Sequence, residues 1–101
     1  MILERQCEVT LVSVEINIPQ FLQHLTNDVR VADVNGRTVG DCLNDLVTQL
    51  PRLKTLLFTR NGKLRKHLDV YINGESAYPE ELAKPVIDGD KLHIVNAVVG
   101  G

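Results

Sequence analysis

The sequence predicts a single α+β domain in which a mixed sheet of four or five strands packs against one main helix. Three observations support this prediction. Several short segments alternate between apolar and polar residues, one central segment repeats its apolar residues every three or four positions, and no repeat or linker divides the chain. With 101 residues, 44% of them hydrophobic, the chain has the size and apolar content of one self-folding domain.

The first predicted strand covers Val9 to Ile18, and apolar residues occupy alternate positions from Val12 onwards. Pro19 cannot donate a hydrogen bond to a sheet, so we expect the strand to end there and a short apolar connection to follow. A second, weaker strand is predicted from about Val29 to Val34. Asn35-Gly36 then predicts a turn, because both residue types tolerate a positive φ.

The main helix is the strongest secondary-structure prediction. Its apolar residues recur at spacings of three and four, which places them on one side: Val39, Cys42, Leu43, Leu46, Val47 and Leu50. Thr38 is a suitable N-cap, Asp41 puts a carboxylate in the first turn, and Pro51 marks the end. Because Cys42 lies on the apolar side, we expect a buried and unreactive thiol, not a catalytic nucleophile.

The second half begins with an apolar segment around Leu53 to Phe58, predicted as a short helical turn or a packed loop. A strand follows over Leu68 to Ile72 and runs directly into a tight turn at Asn73-Gly74. The last strand, from about Leu92, comes after Asp88-Gly89-Asp90, whose carboxylates we expect to serve the turn and not to form a catalytic pair.

A single amphipathic helix cannot bury its apolar side alone, and the apolar face of the predicted sheet is its natural partner. A helix held by a mixed sheet in this element order is the β-grasp arrangement. The sequence divides into an N-terminal extension over residues 1–12, the β-grasp domain over 13–95, and a flexible C-terminal tail over 96–101.

Composition argues against several classes of function. Eleven Lys and Arg against thirteen Asp and Glu give a net charge of -2, so we expect no nucleic-acid partner. No run approaches the ~20 apolar residues of a membrane helix, and the first residues are charged, which favours a cytoplasmic protein without a membrane partner. His24, His67 and His93 fall in separate elements outside any metal-binding motif, and no phosphate-binding loop is present.

The last two residues, Gly100 and Gly101, are the candidate functional feature. The residues from Asn96 to Val99 before them are uncharged and mostly small or β-branched. Because glycine has no Cβ, such a segment can pass through a narrow channel and bring its carboxylate to a nucleotide bound in another protein. The alternative interpretation is a frayed terminus without function.

A second candidate surface is the basic run Lys63, Arg65, Lys66 and His67, which lacks the interleaved aromatic residues that stack on bases. Two interpretations are open: a solvated surface, or part of a docking face for an acidic partner. Tyr71, on the strand that follows, joins Lys63, Arg65 and Lys66 as a candidate docking residue.

Several motifs follow one another along residues 14–101. They are Ile18-Pro19, Gly36-Arg37-Thr38-Val39, Gly62-Lys63-Leu64-Arg65, Val70-Tyr71-Ile72-Asn73-Gly74-Glu75, Asp88-Gly89-Asp90 and Ala97-Val98-Val99-Gly100-Gly101. Together they resemble the ubiquitin-like sulfur carriers of the MoaD/ThiS type, which include the small subunit of molybdopterin synthase, the thiamin-pathway carrier and the cysteine-synthesis carrier. The chain departs from this family in its leading residues 1–12 and in Asn96, where many relatives have proline.

The resemblance implies a ubiquitin-like β-grasp fold and a carrier protein that is not an enzyme. It implies that an E1-like partner adenylates the Gly101 carboxylate with ATP. A sulfur donor then displaces AMP, and a partner synthase uses the resulting thiocarboxylate for cysteine, homocysteine or a cofactor such as molybdopterin. Val98, Val99 and Gly100 would thread the partner's channel, and the carrier would bind no cofactor or metal.

Two other functions stay open. A ubiquitin-like modifier would join the same adenylated Gly101 to a lysine of another protein, and covalent conjugates in cell extract would indicate it. A non-catalytic ubiquitin-like binding module would use its sheet surface alone, and its function would survive deletion of Gly101.

Overall fold

The computed structural model describes residues 12–96 of the chain. Within this range the strands and α-helices are β1 (Ser13–Asn17), β2 (Val31–Asn35), α1 (Val39–Gln49), α2 (Lys54–Leu57), β3 (Leu68–Ile72), β4 (Glu75–Ser76) and β5 (Lys91–Asn96). Short 3-10 helices occupy Gln20–Leu25, Pro51–Leu53 and Glu81–Ala83. The predicted N-terminal extension up to residue 11, the predicted strand start at Val9 and the tail residues 97–101 lie outside the described residues.

The strands form one mixed sheet in the order β2-β1-β5-β3-β4. β1 and β5 are neighbours and run parallel, while the other neighbouring pairs are antiparallel. Ile16 lies opposite Ala32 of β2 on one side and opposite Leu92 of β5 on the other. This five-stranded mixed sheet, with α1 packed on it, is the β-grasp arrangement, and the predicted fold class is confirmed.

The core lies between α1 and one face of the sheet. Val39, Cys42, Leu43 and Leu46 of α1 are completely buried, each with 0% of its surface exposed. The buried sheet residues that belong to the same cluster are Val14, Ile16, Ala32, Val34, Leu68, Val70, Leu92 and Ile94. The predicted apolar side of the helix is therefore confirmed, with Val47 and Leu50 only partly buried at its far end.

The predicted start of the helix is also confirmed. The side-chain oxygen of Thr38 accepts a hydrogen bond of 3.1 Å from the Asp41 N–H, and Asp41 Oδ2 accepts one of 3.3 Å from the Arg37 N–H. The first bond satisfies an N–H that an uncapped helix would leave without a partner, and the second ties the residue before the cap to the first turn. α1 ends at Gln49, two residues before Pro51.

The predicted turn at Asn35-Gly36 is wrong, because these residues do not form a turn with positive φ. Asn35 is the last residue of β2, and Gly36 is absent from the positive-φ glycines of the described chain. A Cβ on Gly36 would lie 2.6 Å from the Asp41 Cβ and 2.8 Å from the Cys42 nitrogen. Glycine is required here because the backbone passes against the start of α1, and not because of its φ.

Other boundaries also differ from the predictions. β2 begins at Val31 and not near Val29, because the preceding loop has its own hydrogen bonds: the Thr26 hydroxyl donates to the Gln23 carbonyl at 3.1 Å, and lies 3.0 Å from the Val29 carbonyl. The segment predicted as a helical turn or a loop is a 3-10 helix over Pro51–Leu53 that continues into α2.

Leu46→Ala tests the packing of α1. Because Leu46 is fully buried, we expect its truncation to lower the free energy of unfolding by about 2 to 5 kcal/mol, measured by urea denaturation. Asn44→Ala, on the exposed side of the same helix, is the control and should change stability by less than about 0.5 kcal/mol. A loss as small as the control's would contradict the helix assignment.

Candidate functional site

The root of the C-terminal tail is held by the sheet. β5 ends at Asn96, which lies opposite Leu68 in the antiparallel pair with β3. The five residues that follow can span at most roughly 17 Å when fully extended. The candidate reactive residue Gly101, and the candidate threading residues Val98, Val99 and Gly100, lie outside the described residues and stay predictions from the sequence.

A cavity of about 370 Å³ opens beside the tail root. Its lining is Phe21, Leu22, His24, Leu56, His67, Leu68 and Asn96. Phe21 and Leu56 are unusually exposed for apolar side chains, at 43% and 37%. The side of the molecule from which the tail departs therefore combines exposed apolar groups with two imidazoles.

Tyr71 lies on the face of the sheet opposite the core, because Val70 before it points into the core and side chains alternate along a strand. It is half-buried and pairs with His93 across β3 and β5. Together with Gly74 and Val95 these residues line a shallow cavity of about 420 Å³. Tyr71 thus lies on a different surface from the basic candidate residues.

The basic candidates Lys63, Arg65 and Lys66 share the loop between α2 and β3. Lys63 and Lys66 are exposed, whereas Arg65 is half-buried and its Nε–H donates a 2.8 Å hydrogen bond to the Thr55 carbonyl. Arg65 also lines a cavity of about 210 Å³ that includes Lys54 and Arg60. Lys54 and Arg60 were not among the predicted docking residues; the signal that could have found them is the absence of Asp and Glu throughout residues 51–67.

Asp88 and Asp90 serve the turn, as predicted. Asp88 Oδ1 accepts the Ser13 N–H at 2.9 Å. Asp90 is 9% exposed and accepts the Ile87 N–H and the Asn73 side-chain amide, both at 2.8 Å. Both carboxylates therefore stabilise the backbone of the turn.

Cys42 is a core residue, as predicted. Burial raises the pKa of its thiol to about 11, and the negative charges of Asp41, Asp45 and Asp90 add to the increase. The thiol is therefore protonated near neutral pH and is a poor nucleophile. Within residues 12–96, no three His, Cys, Asp or Glu side chains are grouped so that they could bind a metal ion.

None of the helices in the described part of the chain has the length and apolar content needed to cross a bilayer.

Comparison with known proteins gives consistent matches over most of the chain. A sequence model described as the ThiS family matches residues 16–101. Small archaeal modifier protein 1 of Haloferax volcanii is 42% identical over 74 residues, covering 72% of this chain and 80% of that protein. The sulfur carrier protein CysO of Mycobacterium tuberculosis is 29% identical over 92 residues, covering 88% of this chain and 99% of that protein.

Solved structures share the fold. The crystal structure of SAMP1 from Haloferax volcanii has a TM-score of 0.76 at 33% identity, with 88% of this chain and 99% of that chain covered. A chain of the Amycolatopsis orientalis BexX/CysO complex has a TM-score of 0.78 at 31% identity, with 87% and 99% covered.

The raised pKa of Cys42 predicts a loss of stability at alkaline pH. The unfolded thiol ionises near its ordinary pKa of 9.0, whereas the folded thiol keeps its proton until about pH 11. The unfolded state therefore binds fewer protons between these values, and the free energy of unfolding falls as the pH rises. Between pH 8 and pH 10.5 we expect a fall of about 2 kcal/mol from this group.

The measurement is urea denaturation at both pH values, with Cys7→Ala as the background and the Cys7→Ala/Cys42→Ala protein as the control. The control loses some stability at every pH because of the missing sulfur, but it should lack this part of the pH dependence. Parallel pH dependences in the two proteins would contradict the burial of an un-ionised thiol.

Proposed function

Because the chain belongs to the ThiS family, we propose that it is a sulfur carrier that holds sulfur as a thiocarboxylate on Gly101. The observation that supports this most directly is the extent of the family match, which runs from residue 16 through Gly101 and so includes the Gly100-Gly101 pair. The CysO relative is named a sulfur carrier protein. The proposal places the chain in the cytoplasm, where ATP is available.

The proposed chemistry has two steps, both in partner enzymes. The Gly101 carboxylate attacks the α-phosphorus of ATP in an E1-like enzyme, and pyrophosphate leaves. Hydrosulfide or an enzyme persulfide, the sulfur donor, then attacks the acyl carbon, the bond to the AMP oxygen breaks, and AMP leaves with that electron pair. With hydrosulfide the product is the thiocarboxylate itself, after loss of one proton. With a persulfide the product is an acyl disulfide; a second thiol of the donor enzyme attacks its enzyme-side sulfur, a disulfide forms within the donor, and the thiocarboxylate leaves. The carrier binds no cofactor in this scheme, and ATP belongs to the activating partner.

The role of the described domain in this chemistry is to position the tail. Its one described thiol, Cys42, is buried and protonated, and the carboxylates of Asp88 and Asp90 bond to the surrounding backbone and to Asn73. β5 instead fixes the point from which the tail departs. Val98, Val99 and Gly100 would thread the partner's channel. Gly100 and Gly101 lack a Cβ that would block a close approach at the end of the tail.

The acceptor of the sulfur is proposed to be a biosynthetic intermediate of cysteine, of homocysteine or of a cofactor, bound in a partner synthase. The BexX/CysO complex supports a folded protein as the receiving partner, since a CysO chain was solved together with a second protein. The docking residues of this proposal are Lys63, Arg65 and Lys66 on the loop before β3, and Tyr71 on the separate outer face of the sheet.

A ubiquitin-like modifier is the second candidate function. It is supported by the 42% identity to a protein named small archaeal modifier protein 1. In this case the ε-amine of a lysine, and not a sulfur donor, would attack the same adenylated Gly101 and displace AMP. Both functions need the same first step and the same tail.

The first test is the intact mass of the chain after incubation with ATP, sulfide and an E1-like enzyme from the same organism. We expect a species heavier by the sulfur-for-oxygen difference, located on Gly101 and absent without ATP. Gly101→Ala should slow its formation on the order of 100-fold, because it displaces the reacting carboxylate in a narrow site. Its melting temperature should match that of the wild type.

Asn44→Ala is the matched surface control and should react like the wild type. No mass change with an enzyme that activates another carrier would contradict both proposed functions and favour the binding module. Purification of a tagged chain from cells under denaturing conditions separates the two candidates. Conjugates that disappear on deletion of Gly101 would indicate the modifier, and a free thiocarboxylate would indicate the carrier.

A further inference from the structure

The positive charge of this protein is concentrated in one part of the chain. Residues 51–67 contain six of the eleven Lys and Arg and no Asp or Glu, although the whole chain has a net charge of -2. The six are Arg52, Lys54, Arg60, Lys63, Arg65 and Lys66, which we call the basic surface. None of them forms a salt bridge with another described residue; the pairs present are Lys84–Glu80 and Lys91–Glu15.

Three of these cations line one cavity. Lys54 comes from α2, Arg60 and Arg65 come from the loop that follows, and Thr55, Phe58 and Thr59 complete the lining of about 210 Å³. The Nε–H of Arg65 donates to the Thr55 carbonyl at 2.8 Å, which fixes the plane of its guanidinium group. The other guanidinium N–H groups of Arg65 have no hydrogen-bond partner among the described residues, and their fork geometry matches a carboxylate.

The loop that carries the basic surface is held by its own hydrogen bonds. The Thr59 N–H donates to the Lys63 carbonyl at 2.7 Å, and the Lys63 N–H donates back to the Thr59 hydroxyl at 3.2 Å. Phe58 and Leu64 form an antiparallel bridge, and each is only 8% exposed. Gly62, with φ +79°, makes the turn between them. Cations on an ordered loop lose less conformational entropy when a partner binds.

The basic surface also adjoins the root of the tail. Leu56, which follows Thr55, and His67, which follows Lys66, line the same cavity as Asn96. The tail reaches at most roughly 17 Å beyond Asn96. An enzyme that holds Gly101 in its active site must therefore come close to Asn96, and so to the cavity that Leu56 and His67 line with it.

From this arrangement we propose that the basic surface docks an acidic patch at the channel entrance of the enzyme that receives the tail. A carboxylate side chain of that enzyme enters the cavity between Lys54, Arg60 and Arg65 and forms charge-assisted hydrogen bonds. This inference depends on the proposed function and adds the chemistry of the partner's surface. Complementary charge of this kind mainly speeds association, and salt weakens the effect.

The first test needs no activating enzyme. Acetylated hexaglutamate is titrated into the ¹⁵N-labelled full chain, and amide shifts are recorded by NMR. We expect the shifts to concentrate in residues 52–67 and to be largely lost in Lys54→Gln/Arg60→Gln. The control Arg30→Gln/Arg37→Gln removes the same charge from exposed positions outside the basic surface and should keep them. Equal shifts in both variants, or no shifts in the wild type, would overturn the proposal.

The second test measures carrier activation by the E1-like enzyme. For Lys54→Gln/Arg60→Gln we expect the KM for the carrier to rise about tenfold at low salt with kcat unchanged, and the difference to shrink as salt is added. The control pair should stay within about twofold of the wild type, the scatter expected for charges away from the interface. An unchanged KM in Lys54→Gln/Arg60→Gln would overturn the proposal.

The outcomes separate this inference from the proposed function. If the wild-type chain is never activated, the proposed function fails, while the peptide titration still reports on the basic surface. Binding of an oligothymidylate with no response to hexaglutamate would overturn the acidic-protein partner and assign the surface to nucleic acid.

Discussion

The parallel pairing of β1 with β5 is the long-range contact on which the position of the tail depends. Glu15 lies opposite Lys91, so the pair joins strands from the two ends of the described chain. Parallel strands need a long crossover connection, and closing a segment of this length costs entropy. Burial offsets this cost, since Ile16 and Leu92 face each other with no exposed surface beneath α1. This pair holds the first half of β5, and the antiparallel pair of β5 with β3 then holds Asn96 opposite Leu68.

The turn Asp88-Gly89-Asp90 connects that pair to its surroundings. On the β1 side, the Gly89 N–H donates to the Ser13 carbonyl, Asp88 accepts from Ser13, and the Glu15 N–H donates to the Asp90 carbonyl. On the β3 side, Asp90 accepts from the Asn73 side chain. These residues form one of the motifs through which the sequence resembles the sulfur carriers. In this structure they set the register of the central strands.

Some of the structure could be predicted from sequence because its cause is local. Thr38 immediately precedes α1 and caps it, and Asp41 lies in the first turn of that helix. Asn73-Gly74 turns the chain directly after β3. Other features could not be predicted, because they depend on distant segments or are too short to produce a periodic pattern of apolar residues. The strand order depends on pairing between distant segments, and α2 has only four residues, too few to show a helical period.

The candidate site divides in the same way. Gly101 could be proposed from the sequence because its chemistry requires only the absence of a side chain and a carboxylate. Lys63 and Arg65 were visible as a basic run. Lys54 joins Arg65 only because α2 folds against the loop, with the Arg65 N–H bonded to the Leu57 carbonyl at 3.0 Å.

In the function proposed above, the folded domain supplies recognition, and the Gly101 carboxylate is the group that reacts. The most direct measurement is the exchange of labelled pyrophosphate into ATP by the E1-like enzyme, since adenylation is reversible and needs no sulfur donor. We expect exchange that requires this chain and is abolished in a variant that lacks Gly101 but melts at the same temperature. Exchange that continues undiminished without Gly101 would show that the Gly101 carboxylate is not the group that is adenylated.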